Sequence, residues 1–180
     1  MNLRVATFDD IPALRTLIEA SARGLSTGSY SATQIDALVT HVFGVDTQLI
    51  VDGSYFVIDT PDGLAAAGGW SARRTLYGGD QMKGDADPRL DPSTEPARIR
   101  AFFVHPQWAR RGLARRLYDE CAQAAKAAGF SELELMATMP GVPLYSALGF
   151  TVVEHVVIDL PPDITVPFSR MRRTIDVESP

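Results

Sequence analysis

The sequence predicts a single mixed α/β domain in which strands and helices alternate along 180 residues. Three observations predict it. Residues 97–129 read as an apolar strand, a tight turn and a long amphipathic helix in direct succession. Residues 54–73 and 150–172 each read as two strands folded on a short turn, at Pro61 to Gly63 and at Pro161 and Pro162. Near the start, two helical stripes follow one short alternating strand.

Taken in order, residues 3–7 alternate as a first strand does. Asp9 and Asp10 offer N-caps, and Pro12 is tolerated in a first turn. Ile11, Leu14, Leu17 and Ile18 then form one stripe that Gly24 ends. Residues 23–30 are a Gly/Ser-rich loop. Ser31 followed by Gln34 is a capping box for a second helix carrying Ile35, Leu38, Val39 and Val42. Residues 54–60 and 64–73 form a hairpin, where Gly68 and Gly69 mark a bulge or a close backbone approach. Residues 74–96 hold many turn formers, carry Asp80, Asp85, Asp87, Asp91 and Glu95, and lack periodicity. A loop that long is either a solvated excursion or a functional one.

The central strand, residues 99–104, leads through a turn at 105–108 into the long helix. Leu113, Leu117, Cys121, Ala124 and Ala128 make its apolar face, and Gly129 stops it. Residues 132–138 put Leu133 and Leu135 on one face of a strand, and Glu132 and Glu134 on the other. A short helix over 141–148 ends at Gly149, and strands 150–160 and 164–172 close the sheet. Residues 1–175 make one domain, with 176–180 as a flexible tail.

Composition narrows the function. Forty-six per cent hydrophobic residues support a packed core. A net charge of −5 argues against generic binding to nucleic acid or an anionic membrane. The lone Cys121 excludes an intramolecular disulfide, and His41, His105 and His155 lack metal-ligand spacing, so no metal is expected. With no signal-peptide region at the start, the expected location is the cytoplasm. A homodimer is the default expectation for assembly.

Against this acidic background, Arg110, Arg111, Arg115 and Arg116 cluster where the long helix begins. Cations there oppose the positive end of the helix dipole, by about 0.3–1 kcal/mol each. The placement makes sense if an anion docks on the unpaired amides, with Gly112 and Ala114 leaving room for it.

The run VHPQWARRGLARRL resembles the acetyl-CoA-binding segment of the GNAT superfamily, the GCN5-related N-acetyltransferases. That pattern is Arg or Gln, two residues, Gly, one residue, then Gly or Ala. Its slots fall on Ala109, Arg110, Arg111, Gly112, Leu113 and Ala114, with Ala109 a departure at the first. The resemblance continues in LELMATMPGVPLYSALGF, where Pro140 stands in place of a frequent Asn. It implies the GNAT fold, a central, mostly antiparallel twisted sheet of six to seven strands flanked by about four helices.

The resemblance also implies direct transfer of an acetyl group from acetyl-CoA to a primary amine of a small molecule or protein. Phe102, Phe103 and Val104 would flank the pantetheine arm, with an amide near Phe103 or Val104 polarising the thioester. Ala109, Arg110, Arg111, Gly112, Leu113, Ala114 and Arg115 would hold the pyrophosphate, chiefly through backbone amides. Tyr145 would protonate the departing thiolate, or simply pack its ring. The central strand offers Arg98 and Arg100 but no carboxylate. Glu134 takes the place of the base used by the ribosomal-protein N-terminal acetyltransferases, unless it merely faces solvent. Tyr30, in the loop bordering the acceptor pocket, and Trp70 would contact the acceptor, and the acids of 74–96 would attract a cationic one. The alternative is an acyl-CoA-binding module without turnover.

Overall fold

Seven strands form one sheet in the order β1-β2-β3-β4-β5-β7-β6 in the computed structural model, which describes residues 1–84 and 86–175. The strands are β1 (Asn2–Val5), β2 (Tyr55–Thr60), β3 (Gly63–Ser71), β4 (Ala97–Val104), β5 (Glu132–Thr138), β6 (Thr151–Leu160) and β7 (Ile164–Thr174). Every neighbouring pair is antiparallel except β4 and β5. Asp85 and the tail at 176–180 lie outside the described residues.

Helices cover both faces. Helix α1 (Ile11–Leu25), α2 (Ala32–His41) and the short α3 (Thr47–Val51) pack on one side. Helix α4 (Leu113–Ala127) and α5 (Val142–Ala147) pack on the other, around Leu117, Cys121, Leu133 and Leu135. The expected capping box is present: Gln34 N donates to Ser31 Oγ at 3.1 Å, and Ser31 N to Gln34 Oε1 at 2.9 Å. Helix α3 was not expected. Asp46 caps it, accepting from Gln48 N at 3.0 Å, but five residues are too few to show a helical period. On α4 the buried positions are Leu113, Leu117, Tyr118, Cys121 and Ala125, so the face is rotated from the expected one and Ala128 is exposed.

Strand β4 departs from a regular ladder on both of its edges. It pairs in register with β5 only at Ala97 with Leu133 and Arg98 with Glu134, after which the parallel strands part. It is also bulged against β3: Ala67 pairs with Phe103 but Gly69 with Arg100, and Ala101 sits at φ 55°. The glycine pair on β3 answers this bulge. A Cβ on Gly68 would fall 2.7 Å from the Phe102 ring, and one on Gly69 would fall 2.7 Å from Ser54 O.

The 74–96 excursion is not solvated slack. Leu90 is buried, and its N–H donates to Ala72 O at 2.8 Å. Its acids brace the chain: Asp87 accepts from Thr75 N at 2.9 Å, Asp80 from Thr47 N at 3.0 Å and Asp91 from Ser93 N at 2.9 Å. Buried Arg100 reaches up from β4 to Thr75 O at 3.1 Å and Gly78 O at 2.7 Å, while its charge meets Asp46 at 2.8 Å. Lys83 also bonds Asp46, so the knot ties the excursion to the sheet.

Candidate active site

Where β4 and β5 part, a cleft of about 970 Å³ passes through the sheet. Successive side chains of β4 show both mouths. Phe102 packs with the α4 side and lies edge-on to Tyr145 at 6.4 Å, whereas Phe103 packs with the α1 side and lies edge-on to Phe43 at 5.7 Å. Leu135 and Met136 divide between the same two sides on β5.

The α4 mouth is the expected anion cradle. Gly112 precedes the helix at φ 78° with no side chain capping it, and Arg110 also has a positive φ of 60°. Past these two left-handed residues, Leu113, Ala114 and Arg115 of the first α4 turn line the cleft together with Gly112. The first helical bond of that turn runs from Arg116 N to Gly112 O at 3.1 Å, leaving the amides ahead of it for a ligand. A Cβ at Gly112 would meet no protein atom within 4 Å, so the space beside it is open. Among the described residues, none of Arg110, Arg111, Arg115 and Arg116 makes a salt bridge. Electrostatics and open amides thus favour an anion such as a pyrophosphate.

Of the residues expected to hold the donor, Phe102, Phe103, Val104, Ala109, Arg110, Gly112, Leu113, Ala114 and Arg115 all line the cleft. Arg111 does not; its guanidinium lies 4.8 Å from the Trp108 ring centroid. The Val104 amide already donates to Ser21 Oγ of α1 at 3.2 Å. Tyr145 lines the cleft from α5, with its ring between Phe102 and Phe150. Burial lifts its phenol above the ordinary range, which keeps the proton on at neutral pH.

Three residues expected at the site do not line the cleft. Glu134 is buried in β5 and bonded by Arg98 at 3.1 Å, Arg170 at 3.0 Å and Arg172 at 2.9 Å. Burial pushes its carboxyl up, but the Arg170 hydrogen bond and the Arg98 and Arg172 charges outweigh that and lower it, making a poorer base. Tyr30 is a core residue that ties β7 to the start of the α5 segment. Its hydroxyl donates to Pro167 O at 2.6 Å and accepts from Met139 N at 2.9 Å. Burial raises its pKa to about 12. Trp70, partly buried, packs edge-on to Phe130 at 6.2 Å against the α4-side core, and it does not line the cleft.

The residues that do form the α1-side mouth went unassigned from sequence: Phe43, Tyr77, Arg100, Met136 and Phe168. Tyr77 stacks on Phe168 at 6.1 Å, with 27° between the rings. Nothing in the aperiodic excursion signals Tyr77, and Phe168 looks like any strand aromatic. Among the described residues no cluster of His, Cys, Asp or Glu could hold a metal, and no helix is long and apolar enough to cross a membrane.

Comparison with known proteins agrees with the geometry. A family described as the acetyltransferase (GNAT) domain matches residues 80–159, the stretch from the excursion through the cradle and Tyr145 into β6. The GCN5-related N-acetyltransferase from Rhodopseudomonas palustris superposes with a TM-score of 0.72 at 15% identity, covering 97% of this chain and 95% of its own. An N-acetyltransferase from Thermoplasma acidophilum, solved in complex with coenzyme A, gives 0.64 at 13% identity, over 97% and 98% of the two chains. The ribosomal-protein-alanine N-acetyltransferase from Brucella melitensis gives 0.63 at 12% identity, over 97% and 100%. No protein of curated function matches the sequence.

Proposed function

From its GNAT fold and its GNAT acetyltransferase segment at 80–159, we propose that this chain transfers an acetyl group from acetyl-CoA directly to a primary amine. One observation carries the reading. The open, arginine-rich N-terminus of α4 and the Tyr145 side chain face the same cleft, at the point where β4 and β5 part.

Acetyl-CoA would supply an activated thioester and, at its other end, the anionic phosphates that the cradle suits. The amides ahead of Arg116 and the Arg110 and Arg115 side chains hold those phosphates. Phe102 and Leu135 provide apolar walls for a thin arm threading toward the opening in the sheet. Tyr145, a phenol that holds its proton at neutral pH, gives it to the leaving sulfur. The acceptor enters from the α1 side, so donor and acceptor meet at β4 from opposite faces.

Titration calorimetry with acetyl-CoA tests the cradle. The wild-type protein binds, and Gly112→Glu abolishes binding because a carboxylate then projects into the phosphate space. Normal binding by that variant would move the donor site elsewhere. Thiol release over a panel of amines then separates a transferase from a module that binds acyl-CoA without turnover.

A further inference from the structure

The α1-side mouth differs in character from the cradle. Its walls are Phe43, Phe103, Tyr77, Phe168 and Met136, arranged around two aromatic pairs. The charged side chains lining the whole cleft are Arg100, Arg110 and Arg115, all cations; among the described residues, no Asp, Glu or His lines it. The nearest buried anion, Asp46, is already bonded by both Arg100 and Lys83 and capped onto Gln48 N. Asp80, Asp87 and Asp91 of the excursion are held by backbone amides.

We propose that the acceptor is a weakly basic aromatic amine, an arylamine neutral at pH 7, and not an alkylammonium or a polyamine. This rests on the acetyl-transfer reading and narrows its substrate. An alkylamine has a pKa near about 10.4 and reaches the protein as a cation. Here it would lose its hydration among aromatic rings, where no carboxylate or imidazole among the described residues lines the cleft to match its charge or take its proton. An arylamine avoids both costs. Its flat ring stacks on aromatic walls, and its nitrogen lone pair is free on arrival.

The step balances without a separate base. The nitrogen lone pair forms the new N–C bond and the C–S bond breaks, its electrons leaving on sulfur. Tyr145 gives sulfur a proton, and the nitrogen, acidic once bonded to the acyl carbon, returns one proton to restore the phenol. The products are an N-aryl acetamide and free CoA thiol, with no other reactant. Arg100 acts as a positioning residue, since its bonds to Thr75 O and Gly78 O hold the segment that presents Tyr77.

Three amines decide the matter under saturating acetyl-CoA at pH 7: p-anisidine, its near-isosteric but strongly basic relative 4-methoxybenzylamine, and spermidine. Thiol release is read, and binding of 4-methoxyacetanilide to the CoA-loaded protein is measured by calorimetry. The expected result is kcat/KM for p-anisidine at least about tenfold above either basic amine, with the acetanilide bound. Faster turnover of 4-methoxybenzylamine or spermidine overturns the inference and leaves the transferase standing. Acetyl-CoA binding with no thiol release on p-anisidine, or with no acetanilide binding, also overturns it alone. Failure of acetyl-CoA to bind removes the transferase reading and this inference together.

Discussion

Asp46 is fully buried, and what it touches explains why a charge was placed there. It answers the buried Arg100 guanidinium, bonds Lys83 of the excursion and caps α3, so one carboxylate joins three segments distant in sequence. Burial makes such a pair costly to break from one side, because the orphaned charge keeps its desolvation penalty. Asp46→Asn should therefore destabilise the fold by about 3–5 kcal/mol, read from the urea midpoint. A loss of under about 1 kcal/mol would mean that the knot contributes no more than an exposed pair does. Glu134 illustrates the same chemistry, with three arginines from β4 and β7 around one buried carboxylate on β5.

At the scale of elements, the bulged β4 and the glycines opposite it act as one device. The bulge puts Ala101 at a positive φ, and beyond it Phe102 and Phe103 alternate to opposite faces. Gly68 accommodates the Phe102 ring, which in turn packs on Tyr145. Gly68→Ala places a methyl 2.7 Å from that ring, so the ring must shift. The expected outcome is a loss of about 1–3 kcal/mol in stability, with slower turnover as Tyr145 loses its support. Wild-type stability and rate would show that the strand absorbs the methyl without moving the site. Periodicity and turn chemistry made these elements legible: the capping box at Ser31, the Gly68-Gly69 signal and the stop at Gly129 all stand in the structure. Helix α3 escaped because its one cap lies in a segment with no period to read.

Across the whole molecule, the arginine-rich helix start that forms one mouth of the cleft was legible and the α1-side mouth was not. The cradle is contiguous in sequence, so small residues, arginines and a helix start are seen together. The α1-side mouth is assembled from the segment after α2, the excursion, β5 and β7, which only the folded sheet brings together. Tyr30 and Trp70 look like ligand-facing aromatics in the chain, yet the Tyr30 hydroxyl bonds Pro167 O and Met139 N, and Trp70 packs on Phe130. What unites the halves is the gap between β4 and β5, a property of the parallel pair rather than of any residue. Inside that gap, Tyr145 delivering a proton to sulfur is the step on which the proposed transfer depends. The most direct test is thiol release by Tyr145→Phe beside acetyl-CoA calorimetry on the same protein. Turnover should fall by about 10²–10³-fold while acetyl-CoA binding stays at the wild-type value. Undiminished turnover would contradict that role, because the cleft would then complete the transfer without the group placed there to end it.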